Sequence, residues 1–258
     1  MKSIGLFLIL LPVFPLMSFW YNQSNEEQLF EVFKPGEELK YELSYGWITG
    51  GVASLSLTET KYQGKNAYHV TAVGKTVGIT HKLYNIRDVY ESYFDPETAK
   101  PYKSITNLKE GDYRKYVEVI FNHEEGTLIS DKSGKKAMGK DVFDIVSAFY
   151  HLRKSLYNIK VGDKVVVHTY FHDEPWDLVI RYKGTETIKT SLGKINCMKF
   201  KPVVEKGTFE SEDGLDIWIS NDKNRIPIRI KMKLFVGSFK TDLVKHSGLL
   251  YDLEFEKE

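Results

Sequence analysis

Short runs rich in Val, Ile, Thr, Tyr and Phe recur along almost the whole chain, and Gly, Pro, Asn and Asp punctuate the gaps between them. The runs in the first half are Leu39–Tyr45, Val52–Glu59, Ala67–Lys75, Arg87–Phe94, Tyr102–Leu108, Tyr113–Phe121 and Thr127–Ser130. Those in the second half are Lys164–Phe171, Leu178–Glu186, Lys194–Lys201, Leu215–Ser220, Ile226–Phe235, Phe239–Lys245 and Leu249–Phe255. Ile228, Ile230, Met232 and Leu234 alternate with Arg229, Lys231 and Lys233, the period of a strand with one apolar and one wet face. Gaps of turn length demand antiparallel meanders, because a parallel crossover takes a dozen residues or more. The expected fold is all-β with one main helix, either a single large curved sheet (a half-barrel) or two barrel-like lobes.

That helix is expected over Val142–Leu156. Val142, Ile145, Val146, Phe149, Leu152 and Leu156 fall at the three-four spacing of one buried face. Asp141 is the expected N-cap, with Asp144 in the first turn and Arg153 and Lys154 in the last. It would link a first β-meander at residues 29–140 to a second at 158–258, with the linking helix at 141–157. The two halves share punctuation at an offset of 126 residues: Gly36 with Gly162, Pro101 with Pro227, Leu108 with Leu234 and Gly111 with Gly237. Such shared turn chemistry points to an internal duplication.

Lys2 precedes an apolar run from Ile4 to Trp20, the pattern of a secretory signal peptide over residues 1–20. Pro12 and Pro15 argue against an uncleaved spanning helix. The chain is therefore expected to be exported, periplasmic or otherwise secreted. A single cysteine, Cys197, allows no internal disulfide and no thiolate metal cage, and its strand context reads as core. The 36 Lys+Arg and 35 Asp+Glu nearly cancel, leaving no overall basic field for nucleic acid.

Three segments carry a family resemblance. The first is Phe33-Lys34-Pro35-Gly36-Glu37-Glu38-Leu39-Lys40-Tyr41, continuing through Tyr45-Gly46-Trp47-Ile48-Thr49-Gly50-Gly51-Val52-Ala53. The second is Asp144-Ile145-Val146-Ser147-Ala148-Phe149-Tyr150-His151-Leu152-Arg153, on the expected helix. The third is Ile217-Trp218-Ile219-Ser220-Asn221-Asp222 with Arg225-Ile226-Pro227-Ile228-Arg229. In this order they resemble the bacterial domain-of-unknown-function family 3108, typically exported envelope proteins. The resemblance implies an exported, β-rich protein and supplies no catalytic residue.

No motif forces chemistry. His168 and His172 flank a strand pattern, which would hold the imidazoles about 13 Å apart, too far for bonds of about 2 Å to one metal. The acidic group Glu210, Glu212, Asp213 and Asp216 reads as a solvated turn around Gly214. Asn221-Asp222-Lys223-Asn224 lacks the ladder of a calcium loop. Neither catalytic residues, a metal nor a cofactor is expected. Lys132, Lys135, Lys136 and Lys140 form a local basic patch, read as a solvated hairpin with peripheral membrane contact as a secondary role. Aromatic residues make up 14% of the chain, a load large enough to line a hollow as well as a core. The expected function is an envelope protein that binds a lipid-like apolar ligand or a partner on a concave aromatic face, without catalysis. Tyr45, Trp47, Tyr93, Trp176 and Trp218 are the candidate ligand-binding residues. The alternatives are an envelope scaffold for protein interactions and a hydrolase with an unidentified site.

Overall fold

Alternation of apolar and polar residues, broken by glycine turns, builds one sheet of 15 strands in the computed structural model, which describes residues 31–203, 214–234 and 237–256. The expected leader and Glu210, Glu212 and Asp213 lie outside the described residues. The first eight strands form a meander: β1 (Glu38–Tyr45), β2 (Ile48–Tyr62), β3 (Lys65–Thr76), β4 (Arg87–Phe94), β5 (Pro101–Glu110), β6 (Tyr113–Asn122), β7 (Thr127–Ser130) and β8 (Gly134–Ala137). A short helix, α1 (Gly78–Leu83), sits between β3 and β4. The chain continues through β9 (Val142–Phe143), α2 (Ile145–Ser155) and a second meander. This comprises β10 (Lys164–Phe171), β11 (Glu174–Lys189), β12 (Lys194–Pro202), β13 (Leu215–Ser220), β14 (Pro227–Lys233) and β15 (Ser238–Ser247). β1 pairs with β15, so the two meanders join at the centre and the sheet is one surface rather than two lobes.

The offset of 126 residues maps β1 onto β10 end for end, and it brings each of β2–β6 over its counterpart in β11–β15. Gly36 and Gly162 take φ of 94° and 100°. Each donates its N–H to the second strand of its half, at Leu57 O (2.8 Å) and Tyr182 O (2.9 Å). Ala99 and Arg225, also 126 apart, are both left-handed, with φ of 59° and 52°, and Pro101 and Pro227 open β5 and β14. The halves share a six-strand layout. The equivalence also locates a second seam: since β1 meets β15, β10 should meet β6, and β7, β8 and β9 are wedged in there instead.

Side chains close that second seam. Tyr170 of β10 packs among Val117, Val119, Phe121 and Leu128 of β6 and β7. Its hydroxyl donates to Asp173 Oδ1 (2.9 Å) and accepts from Lys136 Nζ (3.0 Å), while the Ser133 hydroxyl donates to Asp173 Oδ1 (3.0 Å). The sheet thus curls until its two ends touch without a shared backbone ladder.

Helix α2 plugs the curl. Val146 and Tyr150 pack with Leu57, Val70 and Phe94 of the first half, and Ala148 and Leu152 with Val167, Met198 and Phe200 of the second. Phe149 reaches the cluster around the central seam. A helix touching both halves and the centre must lie on the concave side. It begins three residues later than the periodicity suggests, and Asp144 rather than Asp141 caps it. The Asp144 carboxylate accepts from the N–H groups of Val146 (2.8 Å) and Ser147 (3.1 Å), and the Ser147 hydroxyl accepts the Asp144 N–H (3.1 Å), a reciprocal capping box. Val142 and Phe143 pair in parallel with β10 instead, and Asp141 bridges to Lys100 at 2.6 Å. Leu249–Phe255, expected as a strand, forms no ladder. Its polar groups meet the β13–β14 turn, with Tyr251 N–H donating to Asn224 Oδ1 (3.0 Å), while Leu253 enters the core. The six-residue α1 was not legible, because it has no buried face to impose a period.

Burial raises the Asp144 carboxyl above the usual carboxylate range, against the hydrogen bonds from Ser92, Ser147 and Val146 that pull it down. A raised folded pKa contributes stability that is full below the unfolded value and lost as pH rises through the folded one. Asp144→Asn keeps a capping oxygen and removes that titration, so its stability relative to wild type should be greater at pH 7 than at pH 4 in urea melts. Equal differences at the two pH values would contradict burial as the dominant influence. Asp144→Ala, which loses the cap, should cost about 1–2 kcal/mol.

Candidate functional site

The filled part of the curl is organised around the buried guanidinium of Arg153. Arg153 of α2 is 1% exposed and donates from Nη1 and Nη2 to Glu37 Oε1 (2.6 Å) and Oε2 (2.8 Å). Nη2 also donates to Val32 O (3.0 Å) and Nε to Asn224 O (3.1 Å). The rings of Phe33 and Tyr150 each lie 5.2 Å from the guanidinium carbon. Burial works to lower the Arg153 pKa and Glu37 more than offsets it, so the group stays cationic. All three segments that carry the family resemblance meet here: Glu37 from the first, Arg153 from the second, and the turn holding Asn224 from the third. Their shared task is to lock the plug helix to both halves.

The other end of the concave face is open. Along β1, Leu39 and Tyr41 are buried, whereas Leu43 and Tyr45, on the same face by the period of two, are partly exposed. On β2 the inward positions read Leu57, Leu55, Ala53, Gly51, and their partners on β3 read Val70, Ala72, Gly74, Thr76. Side chains shrink along β2 to Gly51 and along β3 to Gly74, beyond which Thr76 closes the row. The result is a groove of about 740 Å³ with almost wholly apolar walls, bordered by Leu43, Tyr45, Ile48, Ile79, Leu234 and Phe239. That volume falls within the range of about 300–1,000 Å³ usual for small-molecule sites. Gly50 is the extra residue of a bulge opposite Leu43 and Ser44, which bends β2 around the opening. A Cβ on Gly74 would meet nothing within 4 Å, so this glycine leaves space that no other side chain uses. Lys75 and Asp88 stand at the margin.

Of the candidate residues, only Tyr45 borders the groove, and Trp47 stands beside it in sequence on the adjoining turn. The Tyr45 ring stands 5.4 Å from that of Phe239, over Gly237, whose φ of 76° and missing side chain make room for it. Trp47 is 92% exposed at the tip of the β1–β2 hairpin, which Gly46 turns at φ 59°. Trp218 is buried, its Nε1 donating to Glu186 Oε1 (2.8 Å) and its ring covered by Lys199 at 4.8 Å. Tyr93 stacks on His69 at 4.1 Å, on the strand face opposite to buried Phe94. Trp176 stands exposed on β11, where its carbonyl accepts from Thr169 Oγ1. Other aromatic side chains of the concave side, Phe33, Phe94, Tyr150 and Phe200, are packed against α2 or its neighbours and line no open face. What the sequence reading passed over is the descending size of alternate residues at Leu57-Leu55-Ala53-Gly51 and Val70-Ala72-Gly74, a signal visible once each strand is read every second residue.

The other polar clusters are occupied by structure. His168 Nδ1 lies 2.9 Å from Asp177 Oδ1, and His172, at φ 53°, forms the β10–β11 turn with Asp173. Asp222 accepts from Ser220 Oγ (2.7 Å), Asn224 N (3.0 Å) and Arg225 N (3.2 Å), so its Oδ1 shapes a turn. Burial pushes the Cys197 thiol up to about 12, far from a reactive thiolate. Lys135 pairs with Glu125 at 3.2 Å and Lys136 belongs to the seam, so these two lysines of the basic patch already have partners.

One curled antiparallel sheet with a plug helix and a side-chain seam defines the class of β-barrel-like proteins. Within it, the chain belongs to the family described as protein of unknown function DUF3108, whose model matches residues 40–244. Its fold is similar to that of a beta-barrel-like DUF1849 protein from Brucella abortus, with a TM-score of 0.56 and 10% identity over 86% of this chain and 100% of that one. A DUF1089 family protein from Pseudomonas aeruginosa aligns with a TM-score of 0.36 and 9% identity, over 76% of this chain and 90% of the other. A candidate exported protein with a YmcC-like fold from Bacteroides fragilis aligns with a TM-score of 0.37 and 12% identity, over 85% and 99%. No protein of curated function matches the sequence.

Proposed function

We propose that this is an exported envelope protein that holds an apolar, acyl-chain-like ligand in the groove between β1, β2, β3 and α1, without catalysis. The carrying observation is the tapered hollow itself: a sheet whose inward residues shrink to Gly51 and Gly74 leaves apolar walls uncovered at one end while the helix fills the other. Exposed contiguous apolar surface on a soluble domain costs free energy unless something covers it. Export rests on Lys2 and the apolar run that follows it. Among the described residues, the largely apolar lining brings no nucleophile, base and oxyanion donors together, which favours holding over hydrolysis.

Gly74→Leu tests the reading. The glycine lies in strand β3 with ordinary backbone angles and open space above it, so leucine should be tolerated while filling the hollow. Titration with the fluorescent fatty acid cis-parinaric acid should saturate on the wild type and weaken at least tenfold in the variant, with thermal stability equal or higher. Failure of the wild type to bind the probe, or equal binding by a folded Gly74→Leu protein, would sink the proposal.

A further inference from the structure

The rim of the groove is as unusual as its floor. Trp47 is 92% exposed, and on α1 Leu83 is 80% and Ile79 65% exposed, with no residue of that helix buried. Trp47 stands on the β1–β2 turn next to Ile48, and Leu83 on the helix that carries Ile79, and Ile48 and Ile79 both border the groove. A second hollow, sharing Lys75 with the groove, is lined by Lys75, His81, Arg87, Lys109 and Arg114, with no carboxylate in its lining. Of the acids adjoining it in sequence, Asp88 accepts the Lys109 N–H at 3.2 Å, and Glu110 and Asp112 belong to the β5–β6 hairpin.

We infer that this rim docks on an anionic lipid bilayer, with Trp47, Ile79 and Leu83 inserted at the interface and the basic hollow against the headgroups. Isolated apolar tips set among cations match an interface whose interior is hydrocarbon and whose surface is negative. Trp at the boundary suits its amphipathic ring, and lysine stems reach along apolar surface while keeping their charge in water. Docking in this orientation turns the mouth of the groove toward the membrane, so an acyl chain could pass between them without crossing water. The inference rests on the groove as a ligand site but is tested apart from it.

An environment-sensitive thiol dye placed through Leu83→Cys reads the contact directly, because native Cys197 is buried. The reference is the same dye through Val161→Cys, at an exposed turn outside the groove lining. Vesicles of phosphatidylglycerol and phosphatidylcholine should blue-shift the dye at position 83 and leave it unchanged at 161. Pure phosphatidylcholine or high salt should weaken the response at least tenfold. Trp47→Asp should also weaken it at least tenfold, whereas Gly74→Leu should lose the fatty acid and keep the vesicle response. Equal shifts at both positions, indifference to lipid charge, or retention of full binding by Trp47→Asp would overturn the inference. So would protection of position 83 by an envelope protein but not by vesicles.

Discussion

Replacing Arg153 by methionine should destabilise the protein by about 3–5 kcal/mol, the usual cost of stranding one member of a buried ion pair. Glu37 would remain beneath the plug helix, 1% exposed, with both carboxylate oxygens losing their guanidinium donors. The carbonyls of Val32 and Asn224 would lose theirs too. Against a typical total of about 5–15 kcal/mol, that is a large share. Arg153→Lys should recover little, since an ammonium cannot reproduce the two-pronged contact. The double variant Arg153→Met with Glu37→Leu should be more stable than the single one, because no uncompensated charge stays buried. Urea denaturation of the three variants measures all of this. A loss below about 1 kcal/mol in Arg153→Met, or no recovery in the double variant, would show that the pair does not hold the helix in place.

The strands were legible because alternation is local: Arg87–Phe94, Thr127–Ser130, Lys164–Phe171 and Leu215–Ser220 run from the first to the last residue as read. The repeat was legible for the same reason, since its marks are turn residues whose conformation depends on themselves. Helix α2 was legible in kind but not in start, because Val142 and Phe143 fit either period and only the Asp144–Ser147 box decides between them. Arg153 and Glu37 are 116 residues apart, and nothing local says that they meet. The groove was half legible. An aromatic beside a turn, such as Tyr45, marks the border, yet the hollow is made by what Gly51 and Gly74 lack. Trp218 also lies near a strand end, but its ring is buried and its indole N–H donates to Glu186 at the sheet surface.

Gly248→Ala should be among the most damaging small substitutions in the protein, at about 4 kcal/mol or more, although it adds a single methyl group. Gly248 follows β15 at the central seam with φ of +65°, where an alanine already costs about 1–2 kcal/mol. The added Cβ would overlap the Gly36 carbonyl oxygen and come within 2.5 Å of the Gly36 carbonyl carbon and 3.0 Å of Glu37 N. These are backbone atoms, so no rotamer change relieves the clash. The Gly36 turn cannot simply retreat, because its N–H is bonded to Leu57 O at 2.8 Å and Glu37 is clamped to Arg153. The strain therefore falls on the contacts that join the two halves to the helix. Gly74→Ala is the matched comparison: the same atom enters open space at an ordinary φ and should change stability by no more than about 1 kcal/mol, in the stabilising direction. Thermal and urea melts of the two variants should therefore differ by several kcal/mol for one chemical change. Similar stability in both would mean that Gly36 and Gly248 do not approach as closely as the central seam requires.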